Sequence, residues 1–239
     1  MKKQLKTLST IWALALITLL LLLHISTAAA QQPGTFRQAK KLMVTMYEQH
    51  PISFYCRCPL NKVGKKLVPD LRACGYSSRK PKDRRYQRIE WEHVMPASWL
   101  GNQRQCWQHG GRKNCRAKDI AFNIMEAEMV NLVPAIGEVN RDRSNYKFGI
   151  IEGEKRQYGQ CDFEVDNKHR IAEPKESIRG DIARIMFFMR DKYNIRLSAP
   201  QTALYKAWSK QDPIDERERR RNKKILAIQG HSNHYITGQ

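Results

Sequence analysis

The spacing of apolar and polar positions along the chain predicts several helices. Apolar side chains recur at helical spacing over residues 36–50, which predicts an amphipathic helix with one face in the core. Residues 180–193 give the clearest pattern, because their apolar residues share one face while acids and bases occupy the remainder. We expect three more helices, over residues 119–130, 203–208 and 215–228. In the last of them a highly charged stretch over 215–224 leads into Ile225, Leu226 and Ile228, which predicts a surface helix docked through its final turns.

Other segments are typical of strands and irregular structure. Residues 88–94 alternate β-favouring with polar residues, as expected of a strand with two chemically different faces. Strands are also expected within residues 149–171, whereas residues 131–134 are expected to end the preceding helix. Residues 51–81 are rich in Cys, Gly, Pro and Lys and show no clear period, which indicates irregular structure. Together the patterns predict an α+β fold in a single disulfide-bonded domain.

The first thirty residues have the pattern of a secretory signal peptide. A basic start is followed by an apolar run over residues 11–23 and by three alanines at positions 28–30. A membrane anchor is the competing interpretation, but a spanning helix needs about 20 apolar residues. We therefore expect a signal peptide over residues 1–30 and a mature domain over residues 31–239 in the periplasm or outside the cell, with no stable membrane association.

Export changes how the cysteines are interpreted, because compartments outside the cytoplasm are oxidising. An even number of cysteines there favours disulfides over thiolate ligands of structural zinc. Cys106 and Cys115 flank a glycine-containing loop, so a local bridge between them is plausible, while the full pairing is one of about fifteen possibilities. The cysteines are Cys56, Cys58, Cys74, Cys106, Cys115 and Cys161.

The charge of the chain limits its partners. The formal charge is +20, and +17 remains once the three lysines of the expected signal are removed. Such an excess favours a polyanion, because counterion release makes nonspecific binding to a polyphosphate strongly favourable at low salt. A membrane surface or a cell wall would suit the same charge. The charge therefore indicates an anionic partner and does not identify the activity.

Adjacent Glu92 and His93 are candidates for phosphodiester hydrolysis. This reaction needs an activated water and stabilisation of charge on the phosphate and the leaving oxygen. A neutral histidine can take a proton from water near pH 7, and a carboxylate can hold a hard cation together with an amide oxygen such as that of Asn140. Taken alone, the pair is also compatible with a surface glutamate beside a hydrogen-bonded histidine. Adjacent strand residues point to opposite faces, so a shared site requires the strand to end or bend, as Pro96 allows.

Longer blocks of sequence carry a family resemblance. Residues 90–97 read EWEHVMPA, residues 106–115 read CWQHGGRKNC, and residues 131–145 read NLVPAIGEVNRDRSN. These blocks closely resemble the bacterial endonuclease I family of periplasmic and secreted nucleases. The resemblance continues through RGDIAR at 179–184 to IQG at 228–230 and so covers nearly the whole mature chain.

The resemblance implies a ββα-metal, or His-Me finger, catalytic core in which two strands and a helix hold one ion. It implies that Glu92 and Asn140 are the metal ligands, that His93 is the general base, and that Arg112 clamps the scissile phosphate. Glu126 matches a functionally placed family glutamate, and we expect it to orient Arg112 through a salt bridge. An exposed helix carboxylate is the alternative for Glu126. The expected cofactor is Mg²⁺, with Mn²⁺ or Ca²⁺ as substitutes.

The resemblance also implies 5′-phosphate products and acceptance of both DNA and RNA. We expect the DNA to be double- or single-stranded and the protein to be a monomer. Lys113, Arg116, Arg141 and Arg143 cluster around the proposed catalytic blocks, which favours contacts with phosphates. No segment is recognisable as a recognition helix, so we expect cutting without sequence specificity.

Two other functions are compatible with parts of the sequence. A metal-independent ribonuclease could use His93, His109 and His169 as acid and base, and it would be insensitive to EDTA. A nonenzymatic basic module for binding DNA or the cell envelope would explain charge and export but would leave Glu92, His93 and Asn140 without a purpose.

Overall fold

A computed structural model of the chain describes residues 30–153 and 155–237. The expected signal peptide lies, apart from Ala30, outside the described residues. From Gln31 onward the chain forms one compact unit. Its described part mixes helices with short strands, which confirms the predicted α+β class. No helix in this part is both long enough and apolar enough to cross a membrane.

The helices and strands are numbered in chain order. The helices are α1 (Phe36–Tyr47), α2 (Ala97–Gly101), α3 (Gln105–Gln108), α4 (Gly111–Lys118), α5 (Ile120–Glu126), α6 (Gly137–Arg143), α7 (Arg179–Tyr193), α8 (Ala199–Gln211), α9 (Glu216–Gln229) and α10 (His234–Thr237). The strands are β1 (Leu60–Val63), β2 (Lys66–Pro69), β3 (Ile89–His93), β4 (Leu132–Ile136), β5 (Lys147–Phe148), β6 (Phe163–Asp166) and β7 (Ile171–Pro174). Short 3-10 turns cover Arg84–Gln87, Met129–Asn131 and Glu176–Ile178.

An antiparallel pair of strands, β3 and β4, supports the region of interest. Glu92 lies opposite Val133, and His93 lies opposite Leu132. Every residue of β4 is buried, and α6 begins at the residue that follows it. The prediction that residues 131–134 merely end a helix is therefore wrong: α5 ends at Glu126, and the apolar run after it is a strand.

The core is built around α7, which is buried on most of its surface. The predicted helix over residues 180–193 is confirmed, and it packs against α8, α10 and the turn at Met129–Asn131. Arg184 is buried within α7 and donates to Glu218 of α9 through Nε at 2.8 Å. The buried charge of this helix thus lies opposite a partner of opposite sign.

The other predicted helices extend further than their periodicity suggested, or stop sooner. The helix expected over 203–208 runs from Ala199 to Gln211, because Ser198 and Gln201 form a capping box ahead of it. The charged helix runs from Glu216 to Gln229 with Ile225 buried, which confirms the predicted docking through its last turns, and it ends at Gly230, whose φ of 81° is one that glycine adopts without strain. The first helix ends at Tyr47.

All six cysteines form disulfides, as their even number predicted. Cys106 pairs with Cys115, which confirms the expected local bridge, although the segment between them is helical rather than a loop. The remaining cysteines pair as Cys56 with Cys161 and Cys58 with Cys74. The first of these joins segments 105 residues apart, and so ties the irregular region after α1 to the start of β6.

Candidate active site

An open cleft of about 930 Å³ brings the predicted site residues together. Glu92, His93, Arg112 and Asn140 all line it. Glu126 is fully buried and reaches the cleft through its contact with Arg112. Residues from β3, α4, α5 and α6 therefore meet at one place, although they are up to 48 positions apart in the sequence.

Glu92 presents a carboxylate held at the wall of the cleft. It lies in β3 and is 4% exposed. Its Oε1 accepts hydrogen bonds from the Tyr55 hydroxyl at 3.1 Å and from Nη1 of Arg143 at 2.8 Å. Burial raises the pKa of the Glu92 carboxyl even though Arg143 and Tyr55 favour the ionised form. A further cation nearby would relieve this cost of burying the charge.

Arg143 holds the end of β3 in place. Its side chain is 1% exposed, lies over the Phe148 ring, and donates to the carbonyl oxygens of His93 at 2.8 Å and Val94 at 2.6 Å. The expectation that Arg143 contacts phosphate is therefore wrong, because a guanidinium buried among these acceptors cannot reach a ligand. It instead fixes the carboxylate of Glu92 and the backbone of the residue that follows.

His93 is the last residue of β3 and leaves the strand on the side opposite Glu92. Its Nε2 lies 2.8 Å from the carbonyl oxygen of Glu126, and its ring centroid lies 4.7 Å from that of Phe36. A carbonyl can only accept, so Nε2 carries the proton and Nδ1 keeps a lone pair. Burial and the charge of Arg112 lower the pKa of His93 to about 4. The imidazole is therefore neutral at pH 7.

Glu126 is the last residue of α5 and binds two arginines. Its Oε1 lies 2.5 Å from Nε of Arg112, and its Oε2 lies 2.8 Å from Nε of Arg116. The predicted ion pair with Arg112 is present, and the alternative of an exposed carboxylate is wrong, since the side chain is 1% exposed. Burial would raise the pKa of Glu126, but the two guanidinium groups outweigh it and lower the pKa. Both guanidinium carbons also lie within 5.6 Å of the Phe36 ring centroid.

Asn140 is presented by α6, which follows β4 directly. Its Nδ2 donates to Oε2 of Glu90 at 2.8 Å, and this leaves Oδ1 as the acceptor of the amide. Glu90 is itself held by Arg85 and Arg88. Since Glu90 and Glu92 share one face of β3, α6 lies over the face that bears both carboxylates.

The oxygens available at this wall suit a hard divalent cation. Glu92 offers a carboxylate and Asn140 an amide oxygen, the donor types that Mg²⁺ prefers. In the described residues, no group of three or more His, Cys, Asp or Glu side chains could hold a metal. A site with two protein oxygens fits an ion that keeps several waters and takes further ligands from substrate phosphates.

The walls of the cleft are basic. Its lining residues of positive charge come from α1, β2, the turn before β3, α4 and α6, and they are Lys40, Lys66, Arg85, Arg88, Arg112 and Arg141. Low-dielectric walls of one charge sign concentrate an anionic ligand. The cleft thus combines a basic wall, a neutral histidine and two oxygen donors, which are the groups expected of a hydrolase that acts on a polyanion.

The structure does not gather the histidines that a metal-independent ribonuclease would need. His109 follows α3 and is exposed, while His169 is paired with Asp166 at 2.5 Å. Neither lines the cleft that contains His93. The acid and base pair of that alternative is therefore not assembled at this site.

Sequence reasoning missed several residues that build the site. Tyr55 and Phe36 come from segments with no visible link to β3, so no local signal identified them. Glu90 was not singled out in the sequence, and it acts structurally by holding Asn140. Arg143 follows Asn140 by one helical turn, and that spacing indicates that both side chains face β3.

Comparison with known proteins agrees with these features. A sequence model of the Endonuclease I family matches residues 26–239. The chain is 48% identical to a periplasmic deoxyribonuclease of Aeromonas hydrophila, with 97% of this chain and 98% of the relative covered. It is 47% identical to an extracellular deoxyribonuclease of the same organism, with 94% and 97% covered. The chain belongs to the Endonuclease I family.

A relative from another organism is named after the same family. The chain is 44% identical to the endonuclease-1 of Buchnera aphidicola subsp. Acyrthosiphon pisum (strain APS), with 84% of this chain and 80% of the relative covered. The predicted resemblance is therefore confirmed over nearly all of the mature chain. The names of the two Aeromonas relatives place them in the periplasm and outside the cell, and the expected periplasmic or secreted location is confirmed.

Proposed function

We propose that this protein is an exported endonuclease that hydrolyses phosphodiester bonds of DNA and RNA, without sequence specificity, around one divalent metal ion. Residues 1–30 would be the export signal, and residues 31–239 a monomeric nuclease domain with a ββα-metal core made of β3, β4 and α6. The observation that carries the proposal is the arrangement of His93: a neutral imidazole, with a lone pair on Nδ1, that lines the same cleft as Glu92 and Asn140.

Glu92 and Asn140 are the residues that would hold the ion, with Mg²⁺ as the expected cofactor and Mn²⁺ or Ca²⁺ as substitutes. The support is the donor set: a carboxylate whose burial disfavours its own charge, and an amide turned by Glu90 so that Oδ1 is free. When bound, the cation would offset negative charge on the phosphate and on the 3′ leaving oxygen.

His93 is the proposed general base. Its Nδ1 would take a proton from the attacking water, while the Glu126 carbonyl keeps Nε2 protonated and fixes the ring. Because the pKa of His93 is lowered to about 4, nearly all molecules carry the basic form at pH 7. Phe36 packs on the ring and restricts its rotation.

Arg112 is the proposed clamp on the scissile phosphate and on its 5′-phosphate product. Nε of Arg112 is occupied by Glu126, and its side chain is 39% exposed at the cleft. The two Nη atoms have no hydrogen-bond partner among the described residues and can donate to phosphate oxygens. Glu126 thereby orients Arg112 and does not touch the substrate.

Binding without sequence specificity follows from the type of contact available. The lining is rich in Lys and Arg, which bind phosphates that every sequence shares. The names of the relatives, two deoxyribonucleases and an endonuclease, support DNA as a substrate. RNA as a second substrate rests on the shared phosphodiester chemistry.

The test is nicking of a supercoiled plasmid by the oxidised mature protein with Mg²⁺, with EDTA, and with EDTA followed by excess Mg²⁺. We expect cleavage in the first and third conditions and loss of cleavage with Glu92→Ala. The matched control is Glu176→Ala, which removes an exposed carboxylate and should cut like the wild type. Running the same series on an RNA strand tests the second substrate.

Each other outcome selects another function. Cleavage that is indifferent to EDTA would refute the metal site and favour a histidine ribonuclease mechanism, especially if it required the 2′-hydroxyl. Saturable DNA binding with no cleavage in any condition would instead identify a binding module. Normal cleavage by Glu92→Ala would remove Glu92 from the metal site.

A further inference from the structure

A second cavity lies away from the cleft and shares no lining residue with it. Its volume is about 320 Å³, near the lower end of the range of about 300–1,000 Å³ found for ligand pockets. Its apolar lining includes Met46, Phe54, Ile185 and Ile236, all of them buried. Ile52 lines the cavity and is 39% exposed. An enclosed apolar surface therefore continues to the exterior of the molecule.

Arg57 lines this cavity with an unpaired charge. It lies between Cys56 and Cys58, each of which forms a disulfide, and its φ of 58° is in the left-handed region. Non-glycine residues in that region store strain, and such residues often lie at functional sites. No hydrogen bond or ion pair to Arg57 occurs among the described residues. Asp181 and Asp215 act on it at longer range, yet burial and the charge of Arg217 lower its pKa.

Lys224 lines the same cavity from α9. Its Nζ is buried and, within the described part of the chain, has no hydrogen-bond partner. A buried ammonium group without an acceptor is costly, and burial together with the charge of Arg220 lowers its pKa. A cation without an acceptor in an apolar cavity is the complement of an anionic ligand.

The acids of the cavity are already engaged. Glu218 is bound by Arg184 from α7, with Nε of Arg184 at 2.8 Å. Asp181 lies 3.5 Å from the same guanidinium, and burial next to Glu218 raises the pKa of Asp181 well above its usual value. Three of the lining cations have partners elsewhere: Arg217 lies 2.5 Å from Asp215, Arg220 lies 3.9 Å from Glu216, and Arg221 donates to the carbonyl oxygens of Met129, Val130 and Leu132. Among the cations of the lining, Arg57 and Lys224 therefore remain without a hydrogen-bonded acceptor in the described residues.

From these observations we propose that the cavity binds an amphiphilic anion: an aliphatic chain that ends in one carboxylate or phosphate, with the head on Arg57 and Lys224. The body must be aliphatic because the buried walls are Met, Phe and Ile. A nucleobase would leave ring nitrogens and carbonyls buried there without hydrogen-bond partners, which is unfavourable. The proposal is independent of the proposed nuclease activity.

The test is isothermal titration of the oxidised mature protein with decanoate below its micelle concentration. We expect saturable binding at one site per chain. Arg57→Gln and Lys224→Met should each weaken binding about tenfold, as expected for loss of one charged hydrogen bond. The matched controls are Arg219→Gln and Lys223→Met, which change exposed residues of α9 and should bind like the wild type.

Two further probes define the head and the body of the ligand. Decyltrimethylammonium has the same chain with a cationic head, and deoxyadenosine 5′-monophosphate has an anionic head on a nucleobase; neither should compete with decanoate. Equal binding of the cationic amphiphile, stronger binding of the nucleotide at this site, or unchanged affinity in both variants would overturn the proposal. Absence of decanoate binding to the wild type would overturn it as well.

Discussion

Arg143 offers a direct test of how the site is held together. Its guanidinium is 1% exposed and satisfies the Glu92 carboxylate and two backbone carbonyls at the end of β3. Arg143→Met keeps much of the side-chain volume and removes the charge. Glu92 would then be a buried carboxylate with the Tyr55 hydroxyl as its remaining side-chain donor.

The expected magnitude follows from the burial. Removing one partner of a buried ion pair costs about 3–5 kcal/mol, because an uncompensated charge stays in a low-dielectric site. We therefore expect Arg143→Met to lose about 3–5 kcal/mol of the free energy of unfolding at pH 7. A second change, Glu92→Gln, removes the charge that Arg143 compensates, so the double variant should be more stable than Arg143→Met alone.

The assay is urea unfolding of the oxidised protein, followed by tryptophan fluorescence and far-ultraviolet circular dichroism, for the wild type, both single variants and the double variant. The double-mutant cycle isolates the coupling between the two side chains. A loss below about 1 kcal/mol for Arg143→Met, or additive effects in the cycle, would refute the view that Arg143 stabilises the buried carboxylate.

Further predictions concern acid, oxidation state and salt. Burial would raise the pKa of Glu128, but hydrogen bonds from His231 and Gln229 and the charge of Lys192 outweigh it and lower the pKa from 4.5 to about 2. Because the pKa of Glu128 is lower in the folded state, its ionisation adds about 3 kcal/mol to the free energy of unfolding above pH 4.5, and this contribution is lost as the pH falls towards 2. Glu128→Gln should lack this part of the pH dependence. Wild type and variant that lose stability in parallel as the pH falls would contradict the prediction. Replacing Cys56 and Cys161 by Ala should cost about 2 kcal/mol more in urea unfolding than replacing Cys106 and Cys115, since the first bridge joins residues 105 positions apart and the second joins residues 9 positions apart; equal losses would count against this entropic account. Plasmid cleavage should weaken steadily as NaCl rises, because the basic cleft loses counterion release, and a maximum in molar salt would contradict that view.

Periodicity predicted the elements that have one apolar face or an alternating pattern. The helices around Met43 and Ile185 and the strand at residues 89–93 were recognisable because burial imposes a repeat on such segments. The strand β4 was missed for the opposite reason. All five of its residues are buried, so the sequence shows an unbroken apolar run that contains Pro134 and carries no alternation.

The site was predictable where the chemistry is carried by short motifs, and unpredictable where it depends on the tertiary contacts of a buried group. Residue type and family resemblance identified Glu92, His93 and Asn140 as candidate site residues. The burial of Arg143 did not, since a charged residue is usually exposed and only the folded position of α6 over β3 explains its partners. Fixing the local Cys106–Cys115 bridge still leaves three of the fifteen possible disulfide pairings, so the other pairs could not be deduced from spacing.

The most direct test of the central proposal is the single-turnover rate of plasmid cleavage by His93→Ala in Mg²⁺ at pH 7, with DNA affinity measured on the same preparation. We expect unchanged folding and affinity and a rate lower by about 10²–10⁴-fold, the usual contribution of a general base. A variant that binds DNA normally and still cuts within a few-fold of the wild-type rate would contradict the role of His93 and with it the proposed mechanism.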